Sequence, residues 1–185
     1  NNFDNFSYNL LNKLVFKSKK LSRHKLSDNI LYNNKNIITT NIKGDIIVFS
    51  INNNKVIYEY NFYKKKFKKL KKKLNIIFEK NIIYITDNLG YVYALDLKKN
   101  KVLWAKNFEI PFRSNIKISG QNIVTSDQNN KIHFINKANG QSVKFVPTEE
   151  TIVKNSFINS LAFNDNVIFY LNTFGSLYAI NSETL

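Results

Sequence analysis

An all-β fold built from a repeated unit is what this 185-residue sequence predicts, and three observations carry the prediction. The first is recurrence. Residues 90–108, GYVYALDLKKNKVLWAKNF, lie without a gap on residues 44–62, GDIIVFSINNNKVIYEYNF. Shorter copies begin at Asn130 (NKIHFINKANGQSVKFV) and at Gly175 (GSLYAINSETL), so the starts are 46, 40 and 45 residues apart. A period of about 40 to 50 residues marks one supersecondary unit used repeatedly. The second is composition within the unit. Short runs of Ile, Val, Tyr and Phe suit strands, Gly, Asn and Asp between them suit turns, and no unit holds a long 3.6-residue period. The third is that IIVFSI and YVYALDL are almost continuously apolar, the pattern of strands buried on both faces. Radially stacked four-stranded sheets bury their strands in this way, each sandwiched between two neighbours. The expected fold is therefore all-β: a β-propeller of four-stranded blades, as a fragment of a larger ring.

The elements follow in order. Residues 1–29 are expected to hold the outer strand of a preceding blade and a connector, since residues 12–16 (NKLVF) resemble residues 100–104 (NKVLW). A blade spans 30–62, with strands at 30–32, 36–40, 45–51 and 56–62, and a Lys-rich connector covers 63–74. The next blade spans 75–108, with strands at 75–78, 81–86, 91–97 and 101–108, followed by a connector at 109–114. A third spans 115–146, with strands at 115–118, 122–126, 131–136 and 141–146. Residues 147–158 connect it to an incomplete blade at 159–185. Gly44, Gly90, Asn100, Gly140 and Gly175 fall at turns, where a left-handed backbone costs these residues least.

Composition bounds function. The net charge is +15, but Lys outnumbers Arg 26 to 2, and Asn and Ile are also very abundant. These residues share A/T-rich codons, so compositional bias accounts for the charge, and no nucleic-acid partner is expected. Base readout would favour the bidentate geometry of Arg. No apolar run reaches the roughly 18 to 20 residues needed to span a bilayer. No signal peptide is visible, and the lack of any Met leads to the expectation of a piece of a longer chain, with any leader or lipid anchor upstream. Without cysteine there is no disulfide, thiolate metal site or Cys nucleophile in the segment.

Chemistry-bearing residues are sparse. Asp45, Asp87, Asp96, Asp127 and Asp165 fall in turns or at strand ends, where Asp caps turns. His24 sits in a basic loop and His133 in the middle of KIHFIN, where it reads as a packed or edge histidine. There is no G-x-S-x-G elbow and no Gly-rich phosphate loop, with 5 Gly in all. In the run YKKKFKKLKKK, residues 63–73, Phe67, Leu70 and Leu74 would form one side of a short amphipathic turn. The run reads as a solvated connector, with contact to an anionic lipid or nucleic acid as its functional reading.

The stretch ALDLKKNKVLW, residues 94–104, resembles the repeat of pyrroloquinoline-quinone-like (PQQ-like) propellers, A-x-D-x-x-x-G-K-x-x-W. Ala94, Asp96, Lys101 and Trp104 match, and Asn100 stands in the Gly place. The other units are degenerate, with Ser50 and Tyr58 in the first, Asn136, Gly140 and Lys144 in the third, and Ala179 and Asn181 in the fourth. The resemblance implies a Trp docked on the adjacent blade and an Asp tying the strand end to the turn. The family holds quinoprotein dehydrogenases and non-enzymatic scaffolds, notably the BamB-like lipoprotein of the outer-membrane β-barrel assembly machinery. Residues 110–114, IPFRS, are similar to the loop by which BamB-like proteins contact the barrel-assembly subunit. Phe112 and Arg113 fall on its hydrophobic-Arg pair, Ser114 departs from its Gly, and an aromatic beside an Arg is a common interface anchor. The bland reading of the same loop has Phe112 tucked onto the sheet.

The resemblance thus implies a non-catalytic scaffold, with no cofactor, metal or catalytic residue. It would be periplasmic and associated with the outer membrane through an unseen anchor, binding a barrel-assembly subunit or client. The alternative is part of a PQQ-dependent oxidoreductase, which would need a cofactor clamp, a carboxylate-bound Ca²⁺ and a general base.

Overall fold

A computed structural model describes residues 17–150 and 158–184. They form three four-stranded antiparallel sheets and one three-stranded sheet, each with its strands in chain order. The first blade holds β1 (Leu26–Asn33), β2 (Asn36–Asn41), β3 (Asp45–Ser50) and β4 (Lys55–Asn61). The second holds β5 (Leu74–Glu79), β6 (Ile82–Asp87), β7 (Tyr91–Asp96) and β8 (Lys101–Asn107). The third holds β9 (Lys117–Ser119), β10 (Asn122–Ser126), β11 (Ile132–Asn136) and β12 (Ser142–Val146). The fourth holds β13 (Ser160–Asn164), β14 (Val167–Leu171) and β15 (Leu177–Asn181). The strand expected at residues 12–16 lies outside the described residues.

Central strands are buried on both faces, as their unbroken apolar runs require: Ile46 to Ser50 and Val92 to Asp96 are all buried. Three seams join the blades. Ile38, Val48, Ile76, Ile85, Tyr93 and neighbours pack between blades one and two. Tyr84, Val92 and Ala94 meet Phe112, Ile116, Ile123 and Ile135 between two and three. Val124, Ile132 and Phe134 meet Leu161, Ile168 and Tyr170 between three and four.

The repeat extends to its irregularities. The pairing of the third with the fourth strand shifts register at Val48/Phe49, Ala94/Leu95 and Phe134/Ile135, the same place in each complete blade. A bulge there raises the local twist and re-aims the outer strand.

Two strands depart from their expected limits. β1 begins at Leu26, because Ser27, Asp28 and Asn29, which read as turn residues, form an irregularity between the Leu26↔Asn41 and Ile30↔Thr39 pairs. β9 begins only at Lys117, because Asn115 turns its side chain to the next blade. Its Oδ1 accepts from Leu161 N and its Nδ2 donates to Leu161 O, both at 2.8 Å.

Candidate functional site

Loops are held at both ends of each blade by repeated side-chain caps. At the end of each second strand, Asn41, Asp87, Asp127 and Asn172 use Oδ1 to accept two backbone N–H groups of the following turn. For Asp87 these are Leu89 N and Tyr91 N, both at 2.8 Å. For Asn172 they are Phe174 N and Ser176 N, both at 2.9 Å. Asn41 and Asp127 do the same for Lys43 and Asp45 and for Asn129 and Lys131. At the opposite end Asp96 accepts from Lys98 N and Lys99 N, Asn136 from Ala138 N, and Asn181 from Glu183 N. Gly44, Gly90 and Gly175 adopt φ of +87°, +89° and +90° in the first set of turns, and Asn100 and Gly140 adopt +53° and +71° in the second.

Trp104 lies across the seam between blades two and three. Its Nε1 donates to Lys137 O at 2.9 Å, and its ring covers Gly140, where an added Cβ would lie 2.6 Å from Cζ3. Beside it Lys137 Nζ pairs with Glu79 at 2.8 Å. Ala94 pairs with Trp104 across the ladder and is buried, and Asp96 pairs with Lys101.

The connector carrying Phe112 and Arg113 is fixed from both sides. Phe112 N donates to Asp87 O and Arg113 N to Ser126 O, both at 3.0 Å, while Pro111 O accepts from Gln128 N at 2.9 Å. The Phe112 ring is 2% exposed and meets Phe108 and His133 edge-on at 5.5 Å. Phe112 therefore anchors the loop from inside and offers no ring to the surface. His133 is held in turn, its Nε2 2.8 Å from Asp127 Oδ2. The nearby Ser126 hydroxyl is engaged with Tyr170 and Asp127 O.

Arg113 points elsewhere. With Asp28, Lys73, Asn75, Asn115 and Asn159 it lines a cavity of about 340 Å³ where segments of all four blades converge. Arg113 Nε, Asn75 Nδ2 and Asn159 Oδ1 are buried there with no hydrogen-bond partner among the described residues. Asn159 Nδ2 reaches Asp127 O at 2.8 Å, Tyr170 Oη at 3.0 Å and Ser126 Oγ at 3.1 Å, which ties blade four to blade three. Burial pushes the Tyr170 hydroxyl up to about 12. No group of three or more His, Cys, Asp or Glu able to hold a metal is present among the described residues. No helix there is long and apolar enough to cross a membrane.

The lysine run departs from its sequence reading. A single 3₁₀ turn spans Lys65–Phe67. Phe67, Leu70 and Leu74 do not share a side: Phe67 packs on Tyr63 and Tyr91, Leu74 opens β5 in the core, and Leu70 is 47% exposed. Lys72 is buried, so the run is not uniformly solvated.

No family model and no curated protein matches this chain. Solved structures do. The computationally designed Ika4 protein superposes with a TM-score of 0.70 at 12% identity, over 89% of this chain and 99% of that one. BamB from Moraxella catarrhalis superposes with a TM-score of 0.66 at 16% identity, over 83% of this chain and 45% of that one. The WD40 domain of Toxoplasma gondii coronin gives 0.61 at 11% identity, over 82% and 42%. The fold is a β-propeller. The chain spans under half the length of the BamB and coronin chains, and at these identities the likeness is one of fold.

Two recurrences escaped the sequence reading, which took Asp87 and Asp127 singly as turn caps. Asn29, Asn75 and Asn115 stand 46 and 40 residues apart on the inner face, and the second-strand caps keep the 46, 40 and 45 spacing. The period that identified the strands would also have found them.

Proposed function

We propose that this chain is part of a non-catalytic β-propeller scaffold that binds other proteins. The observation that carries the reading is the set of capped loops: Asn41, Asp87, Asp127 and Asn172 fix the turn after each second strand, so the stacked blades hold a row of loops in fixed relation for a partner to dock on.

In its finer form the reading is a BamB-like role in outer-membrane protein assembly. The protein would be periplasmic and held at the outer membrane by an anchor, with a barrel-assembly subunit or an unfolded client as partner. The repeat at residues 94–104 and the fold shared with BamB support it. Arg113 would then make the contact while Phe112 holds the loop.

The test is photo-crosslinking of the full-length protein in its native cells, with the reactive residue at position 174, in the capped turn after β14, and, separately, at 113. An adduct from 174 to a second polypeptide is expected. Capture of a barrel-assembly subunit from either position would carry the finer reading. Adducts confined to the protein's own chain at both positions, from a folded protein, would overturn the docking role.

A further inference from the structure

The lysine-rich connector folds back on the first blade. Lys64, Lys65, Lys68 and Lys72 of this connector line a pocket of about 520 Å³ together with Lys43 and His24. Lys43 comes from the β2–β3 turn and His24 from the segment before β1, so three separate parts of the chain converge. Asp45 is the one carboxylate lining the pocket, and it already accepts from Asn41 Nδ2 at 2.7 Å and Asn61 Nδ2 at 2.5 Å. Five ammonium groups thus face one occupied carboxylate.

Lys72 distinguishes this pocket from a surface patch. Its side chain is 5% exposed, its Nζ donates to Phe67 O at 2.6 Å, and it lies 5.1 Å from the centre of the Tyr63 ring. An ammonium has three donors, and no carboxylate among the described residues lies within ion-pair distance of this one. Burying a charge without its counter-charge is costly, and an anion in the pocket would remove that cost. Burial, aided by Lys43 and opposed by the more distant Asp45 and Asp87, holds the Lys72 pKa below the ordinary lysine value. The floor is rigid, because the Tyr63 hydroxyl donates to Asp87 and its ring fills the space over Gly44.

We propose that this pocket is a binding site for a multiply charged phosphate group. The ring of lysines offers compact point charges, which suit phosphate oxygens arriving at varied angles better than they suit planar carboxylates or base edges. The volume falls within the range of small-molecule sites and leaves room for the organic part of a phosphoester. That group could belong to a soluble phosphoester or to a phospholipid headgroup, and the two are separable.

The full-length protein is titrated with inorganic pyrophosphate at physiological ionic strength. It is then mixed with phosphatidylcholine vesicles with and without phosphatidate. Saturable pyrophosphate binding is expected. It should weaken about tenfold or more in Lys43→Gln/Lys68→Gln and in Lys72→Met, and by less than about threefold in the exposed control pair Lys99→Gln/Lys106→Gln. Capture on phosphatidate vesicles, competed by pyrophosphate, assigns the group to a lipid headgroup; pyrophosphate binding without vesicle capture assigns it to a soluble ester. No saturable binding, or equal losses in pocket and control variants, overturns the site in favour of general charge attraction. Should Lys72→Met not fold, the surface pair decides alone.

Discussion

Gly140→Ala separates two costs that usually arrive together. Gly140 has φ +71°, so any side chain there carries the left-handed penalty of about 1 kcal/mol. It also lies under Trp104, where the new Cβ would stand 2.6 Å from Cζ3 and 2.8 Å from Cδ2. The ring cannot withdraw freely, because Nε1 is bonded to Lys137 O. Overpacking of this kind costs about 1 to 3 kcal/mol, giving a total of roughly 2 to 4 kcal/mol. At about 2 to 4 °C per kcal/mol for a chain of this length, the melting temperature should fall by roughly 4 to 16 °C. Gly120→Ala is the control: φ is +53° but nothing lies within 4 Å of its Cβ, so only the backbone cost of about 1 kcal/mol applies. Thermal unfolding followed by circular dichroism and by Trp104 emission reads both, since Trp104 is the only tryptophan. Equal shifts for the two variants, or an unchanged emission maximum in Gly140→Ala, would refute the argument that Trp104 seals this seam against Gly140.

Further outcomes follow from the buried polar groups. Burial raises the Asp87 pKa against the opposing hydrogen bonds from Tyr63, Tyr91 and Leu89. Its stabilising contribution is therefore complete below the unfolded value and lost as pH rises through the folded one. Asn performs the same turn-capping at positions 41 and 172, so Asp87→Asn should be tolerated, and its stability relative to the parent should improve as pH rises from acid to neutral. A stability difference, variant minus parent, that stays constant or falls across that range would contradict this. Asn159→Ala should cost about 1 to 3 kcal/mol in chemical denaturation, because Asp127 O and its neighbours lose a buried donor. Asn159→Asp should cost more at neutral pH than at acid pH, since a carboxylate would face those acceptors. Lys137→Met should lower stability by no more than about 1 kcal/mol, because the Glu79 partner is partly solvated.

The strands were legible because their signal is local. Continuous apolar runs bounded by Gly, Asn and Asp define central strands whatever surrounds them, and the period gave their order. Burial of single side chains was not local. Phe112 read either as an interface anchor or as a ring tucked onto the sheet, and what encloses it, Phe108 and His133, comes from strands or connectors that only the packed blades assemble. Lys72 is one of three consecutive lysines, and its distinction from Lys71 and Lys73 lies only in its position two residues before buried Leu74, on the inward side of an extended segment. The start of β1 was missed for the opposite reason. Ser27, Asp28 and Asn29 carry turn chemistry, yet the Lys25 carbonyl accepts from Ile42 N at 3.0 Å and keeps the backbone paired beyond them.

Degeneracy of the repeat has a mechanical consequence. Tyr58, Trp104 and Lys144 occupy one position, opposite Val48, Ala94 and Phe134 in their respective blades. Trp104 closes its seam at the rim with a hydrogen bond and a fitted glycine. Tyr58 leaves a cleft of about 350 Å³ against Phe78, Leu97 and Asn100, with its hydroxyl buried and unpartnered among the described residues. Lys144 is exposed and closes nothing at the rim. The third seam is instead fastened near the axis, by Asn115 on the Leu161 backbone and by Asn159 on blade three. In a stacked array the stability is a sum of unit and neighbour terms, so unequal seams open unequally. The third seam, held by the inner bonds and the core beneath them, should therefore open first at its rim while its inner end stays closed.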